Sequence, residues 1–176
     1  MHTKELIVIK IGSNVLTDGK NRLNHRVFRQ VAEQVKKFHR YEKEIIIVSS
    51  GAIACGMEKL HIDYAQRTIP QKQAAASVGQ TLLMNYYSQF LRPLPVGQIL
   101  LTADAINNKQ RAENFKNTIR ELLHVGVVPI INENDSVVVD EIKFGDNDML
   151  SAQVAALLQA RKLIIMTDID GLYDAN

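Results

Sequence analysis

A single cysteine, Cys55, leaves no possibility of an internal disulfide. It sits in the small-residue run Gly51-Ala52-Ile53-Ala54-Cys55-Gly56, where a buried thiol suits helix packing, so its expected role is structural. Charge of one sign is missing as well. The 21 Lys and Arg against 19 Asp and Glu leave a net charge of +2, and the two signs alternate in segments such as 36–44. Without a broad basic field, nucleic acid is not the expected partner. No apolar run approaches the roughly 20 residues that span a bilayer, and Met1-His2-Thr3-Lys4-Glu5 lacks the long apolar region of a secretory signal. The expectation is a soluble, cytoplasmic protein. Neither Gly-x-x-x-x-Gly-Lys-Ser/Thr nor Gly-x-Gly-x-x-Gly occurs, which removes the main support for P-loop and dinucleotide-binding readings. The five histidines are scattered without ligand spacing or cysteine companions, so no structural zinc is expected.

What is present is a chain of 176 residues, 46% apolar, which suits one globular domain or part of a larger one. Short apolar runs alternate with longer amphipathic stretches, the pattern of an α/β protein. Leu6-Ile7-Val8-Ile9-Lys10-Ile11 is β-branched and apolar on both faces, as a buried parallel strand should be. Glu44-Ile45-Ile46-Ile47-Val48, Val127-Val128-Pro129-Ile130-Ile131 and Leu163-Ile164-Ile165-Met166 repeat it, and Val96-Gly97-Gln98-Ile99-Leu100-Leu101 is a fifth candidate. Helices are expected over 24–41, 72–90, 109–124 and 148–160. In the second of these, Ala74, Ala75, Ala76 and Gly79 leave little bulk, so a neighbouring element can approach closely. Residues 137–144 read as a hairpin turning near Asp140-Glu141.

In parallel sheets ligands bind beyond the carboxyl ends of the strands, and those ends are polar here. Lys10-Ile11-Gly12-Ser13-Asn14 suits phosphate, with an ammonium at a strand tip and a glycine that admits an oxyanion; a snorkelling lysine before a turn is the equal alternative. Ser49-Ser50-Gly51-Ala52-Ile53 enters a helix and can bind carboxylate or phosphate, or a serine can simply cap that helix. Asn132-Glu133-Asn134-Asp135 and Gly145-Asp146-Asn147-Asp148 gather acids and amides that can hold an ammonium, position lysines or assist a metal; ordinary Asx turns are the alternative. Thr167-Asp168 can meet a nucleotide, and Asp170-Gly171 reads as a turn.

Taken together, these segments resemble the amino acid kinase family. The blocks that carry the resemblance are Val8-Ile9-Lys10-Ile11-Gly12-Ser13, Val48-Ser49-Ser50-Gly51-Ala52-Ile53, Lys72-Gln73-Ala74 with Val78-Gly79-Gln80, Gly97-Gln98-Ile99-Leu100-Leu101-Thr102, Ile131-Asn132-Glu133-Asn134-Asp135, and Phe144-Gly145-Asp146-Asn147-Asp148 with Leu150-Ser151-Ala152. They occur in the family's order over residues 7–173. The last two blocks resemble the branch whose acceptor is glutamate. The resemblance implies a three-layer sandwich with a mainly parallel central sheet flanked by helices. It also implies transfer of the γ-phosphoryl of ATP to the γ-carboxylate of L-glutamate, the first step of proline synthesis, with Mg²⁺ accompanying the nucleotide.

By the same resemblance, Lys10 would steady the transferring phosphoryl oxygens, and Gly12 and Ser13 would line that phosphate site. Ser50, Asp135 and Asn147 would bind glutamate, with Gly51 and Ala52 offering backbone contacts. Asp148 would organise the catalytic lysines, while Thr167 and Asp168 would meet ATP. No protein ligand of Mg²⁺ is assigned. Proline feedback and a homo-oligomer are implied as well. The family continues past Asp174-Ala175-Asn176 with a nucleotide-binding half, and many members add a PUA domain. The chain therefore looks like the N-terminal, amino-acid-substrate portion of a kinase domain, and little activity is expected of it alone. Two alternatives stand beside the kinase reading: a glutamate-binding fragment that does not turn over, and a kinase of this family with another acceptor.

Overall fold

The computed structural model describes residues 4–18, 20, 22–63, 68–137, 146–168 and 171. Five strands form one parallel sheet in the order β3-β4-β2-β1-β5: β1 (Leu6–Ile11), β2 (Glu44–Ser49), β3 (Val96–Leu101), β4 (Val128–Glu133) and β5 (Lys162–Met166). All five are the runs expected from the sequence. The hairpin expected near Asp140-Glu141, with Gly145 and Asp170, lies outside the described residues.

Strand periodicity sorts the core into two layers. Ile7, Ile9, Ile45 and Ile47 face α2 (His25–Arg40) and α4 (Ile69–Leu91), packing with Phe28, Val31, Leu83 and Tyr87. Val8, Ile46, Val48 and Ile131 face the opposite way, against Phe115 and Ile119 of α6 (Lys109–His124) and Leu150 and Val154 of α7 (Asp146–Leu157). Helices thus cover both faces, the three-layer arrangement expected. Two helices of five residues or fewer, α1 (Ser13–Leu16) and α5 (Ala103–Asn107), were not expected, because one turn is too short to show a periodic pattern.

Helix starts follow local chemistry. Asn24 caps α2 by accepting from the amides of Arg26 and Val27, and Asn108 caps α6 through the amide of Arg111. Thr68 and Gln71 form a reciprocal capping box at α4, with Pro70 in the first turn. This start lies three residues before the expected 72, since the apolar stripe begins only after the cap. Likewise α7 begins at Asp146 rather than 148 and ends at Leu157.

The small residues of α4 admit α3 (Ala52–Leu60) at backbone contact. A methyl group on Gly79 would overlap the carbonyl of Ala52, and one on Gly56 would overlap the carbonyl of Ala75. Cys55 is buried in this seam, and burial pushes its thiol up to about 12, which fits a packing role. The contact fixes the start of α3, and therefore the loop after β2, against the body of α4. Gly79→Ala is expected to destabilise the fold by about 1–3 kcal/mol or more through overpacking. Thermal unfolding checks this: an unchanged midpoint would show that the helices are not in backbone contact.

Candidate active site

Register brings the carboxyl ends of the strands level. Ile11 pairs with Ser49 of β2 and with Met166 of β5, and the ladder extends one step further as the Ser50 amide donates to the Ile11 carbonyl and the Gly12 amide to that of Met166. Whatever follows these strands is therefore gathered on one edge.

Lys10 shares the Val8 side of β1, toward α7. Only 3% of the residue is exposed, and its Nζ lies 2.6 Å from Asp148 Oδ1 in the first turn of α7, where the carboxylate is 42% exposed. The pair joins a buried cation to a partly solvated anion, and the helix N-terminus adds to the stabilisation of Asp148. A Cβ on Gly12 would stand 3.5 Å from Lys10 Nζ and 3.3 Å from the Met166 carbonyl. The missing side chain thus leaves a hollow beside an ammonium. Next to it, the Asn14 amide donates to Asp168 at 2.9 Å. That bond, helped by the more distant charge of Lys10, holds the Asp168 carboxyl below its ordinary value. Ser13 opens α1 on the same edge, and Thr167 follows β5.

On the β2 side neither serine caps α3. Gly51 holds the cap position in the left-handed region, at φ 99°, with no side-chain cap bond. Instead, the Ser49 hydroxyl lies 2.8 Å from that of Tyr87 in the core. The Ser50 hydroxyl accepts from Asn147 Nδ2 at 2.7 Å, which leaves its own proton to donate. The same Asn147 nitrogen reaches the Ser49 carbonyl at 3.1 Å and Asn132 Oδ1 at 3.0 Å. Asn132 in turn accepts from the Glu133 amide at 2.9 Å and donates to Gln80 Oε1 at 2.9 Å. A chain of three amides thus links α7, β4 and α4 across the sheet edge.

Asp135 lies further out, in a cleft of about 250 Å³ whose walls include Ala52, Gln80, Thr81, Gln98 and Glu133. Burial raises its carboxyl from 3.8 to about 6, the response of an acid removed from water with no compensating cation among the described residues.

Eight of the eleven expected residues therefore fall into three adjoining groups: Lys10, Gly12, Asp148 and Asp168 around the hollow; Ser50 and Asn147 around the amide chain; Ala52 and Asp135 in the cleft. Ser13, Gly51 and Thr167 follow the same strand ends. Asn14, Gln80, Tyr87 and Asn132 received no individual role from the sequence, although Asn14 and Asn132 lie in polar strand-end segments and Gln80 in one of the blocks that carry the family resemblance. Tyr87, on a helix, carried no signal. Among the described residues, no three or more His, Cys, Asp or Glu gather as a metal site, and no helix is long and apolar enough to cross a membrane.

An α/β sheet with a buried lysine, a glycine hollow and polar strand ends at one edge has the build of a phosphate-handling enzyme domain. Residues 5–176 match the Amino acid kinase family, and the chain belongs to that family. It is 54% identical over 172 residues to glutamate 5-kinase of Geobacter sulfurreducens, covering 97% of this chain and 46% of that protein. Glutamate 5-kinase of Clostridium acetobutylicum is 48% identical, with 97% and 64% covered; that of Thermus thermophilus is 45% identical, with 96% and 46% covered. The chain thus spans about half to two thirds of the length of these relatives. In fold it matches carbamate kinase of Giardia lamblia, solved bound to AMP-PNP, with a TM-score of 0.63 at 16% identity over 96% of this chain and 73% of that one.

Asp135 supplies a test of the site's electrostatics. An acid whose folded value is raised contributes stability below its unfolded value of 3.8, and that contribution is lost as pH rises through about 6. Asp135→Asn is therefore expected to gain stability over the parent between pH 4.5 and 8, measured by thermal unfolding. A difference that does not change with pH would contradict the raised value.

Proposed function

We propose that residues 1–176 form the acceptor-binding portion, with the first catalytic lysine, of a kinase that phosphorylates the γ-carboxylate of L-glutamate to glutamyl 5-phosphate, the opening step of proline synthesis. The observation that carries this reading is the convergence of Lys10, Ser50, Asn147 and Asp148 on one sheet edge, in a chain about half identical to proteins named glutamate 5-kinase.

ATP, with Mg²⁺ on its phosphates, supplies the phosphoryl group. The hollow over Gly12 beside the Lys10 ammonium fits a phosphate, because a side chain at position 12 would fill it. In this reading Lys10, Gly12 and Ser13 hold the transferring end of ATP, and Thr167 and Asp168 meet the rest. The Lys10 cation stabilises negative charge as it spreads over the phosphoryl oxygens, while Asp148 aims it. Ser50 donates its remaining proton to a glutamate carboxylate, and the amides of Gly51 and Ala52, at a helix start without a side-chain cap, are further donors. Asn147 fixes the Ser50 hydroxyl. Asp135 receives the substrate ammonium, a cation that no described residue lining its cleft supplies. No nucleophilic side chain is needed, since the substrate carboxylate attacks. The cytoplasm, proline feedback and a homo-oligomer belong to the same reading.

Acyl phosphate trapped with hydroxylamine, at saturating ATP, Mg²⁺ and L-glutamate, tests the transfer. Lys10→Ala is expected to reduce hydroxamate by roughly a hundredfold to a thousandfold, the scale for one charge-stabilising group. Hydroxamate formation above background in the parent that persists unchanged in Lys10→Ala would refute the role of Lys10. Acetylglutamate, aspartate and uridylate, tested as acceptors, separate other branches of the family. A second reading has one observation in its favour, the chain's coverage of 46% of the Geobacter sulfurreducens relative: a chain that binds glutamate without turning over alone. It predicts glutamate binding with hydroxamate no higher in the parent than in Lys10→Ala. In either case L-glutamate affinity should fall as pH drops through about 6, when Asp135 takes up a proton; calorimetric titration at pH 5 and 8 measures it, and equal affinity at both would remove Asp135 from the site.

A further inference from the structure

The orientations in the amide chain are dictated by backbone groups at its ends. The Ser49 carbonyl can only accept, so the atom of Asn147 beside it must be Nδ2. The Glu133 amide can only donate, so the atom of Asn132 beside it must be Oδ1, which also receives Asn147. Asn132 therefore turns its own Nδ2 toward Gln80, and Gln80 must offer Oε1. Its Nε2 then points away from the amide chain, buried and with no acceptor among the described residues, on a residue 8% exposed that lines the Asp135 cleft. A buried donor in this state loses its hydration without a replacement bond. Flipping the amide would not help, because it would set two NH₂ groups against each other at Asn132.

We infer that Gln80 is a specificity-determining residue whose Nε2 donates to the α-carboxylate of the acceptor amino acid. The assignment rests on the glutamate reading above. Asp135 and Gln80 share one cleft, so an ammonium at Asp135 carries the α-carbon and its carboxylate to the Gln80 wall, while the side chain runs toward Lys10. Acid and amide together select the zwitterionic end of an amino acid, with an acceptor for the cation and a donor for the anion.

The test is L-glutamate binding to the 176-residue chain by calorimetry, with two variants that remove the donor. Gln80→Glu keeps an oxygen for Asn132, and Gln80→Met removes the amide without adding charge. Both are expected to weaken L-glutamate by about 10- to 100-fold, the scale of a hydrogen bond to a charged group. In the parent, the Gln80 side-chain NH₂ resonances should shift on adding L-glutamate and stay in place with 4-aminobutanoate, which lacks the α-carboxylate. Affinity within twofold of the parent in Gln80→Met, or NH₂ resonances unmoved by bound L-glutamate, would overturn the assignment of Gln80 alone. A parent chain that does not bind L-glutamate would overturn the glutamate reading and this inference with it.

Discussion

The ammonium of Lys10 is withdrawn from water at the end of an interior strand, and a cation so placed must be matched by an anion or neutralised. Asp148 supplies the match at 2.6 Å. Because the partner sits in the first turn of α7, the requirement also fixes how that helix meets β1, and with it the position of Asn147, one residue earlier. Removing Asp148 would take this anion away from a buried cation, which costs more than removing Lys10, whose carboxylate partner is partly solvated. The same constraint keeps the hollow above Gly12 next to positive charge.

From Asn147 the order spreads by hydrogen bonds. Its amide joins the loop after β2, the end of β4 and the helix α4 through Asn132 and Gln80. The hydroxyls of Ser49 and Tyr87 tie that loop to the core, and the α3–α4 seam clamps it from the other side. A site for a small charged ligand gains from such support, since little side-chain freedom remains to be lost on binding. Asp135 stands apart: burial raises it, with no cation beside it among the described residues, so it favours a ligand of positive charge.

Most of the sheet was legible in the sequence because buried parallel strands are written as continuous β-branched runs, and Leu6–Ile11 or Glu44–Ser49 have no other use. The close approach to α4 was legible from Ala75, Ala76 and Gly79, where the absence of bulk is itself the signal. The helix start at Ile69 was less so, since its capping box precedes the apolar pattern, and so was the start at Asp146. At the site, the sequence supplied the residue types at the strand ends and the resemblance supplied their roles. What neither could supply was pairing. That Ser50 would receive Asn147 rather than cap α3, or that Gln80 would complete a line of amides begun at the β2 loop, depends on strand order and on which backbone group faces which side chain.

The central claim is that one sheet edge holds an amino acid between Asp135 and Lys10. A crystal structure of the chain grown with L-glutamate tests it most directly. The account predicts the ammonium against Asp135, the α-carboxylate at the Gln80 wall, and the γ-carboxylate beside Ser50 and turned toward Lys10. Glutamate bound away from the carboxyl ends of the strands, or bound there in the reverse direction with its ammonium toward Lys10, would contradict it.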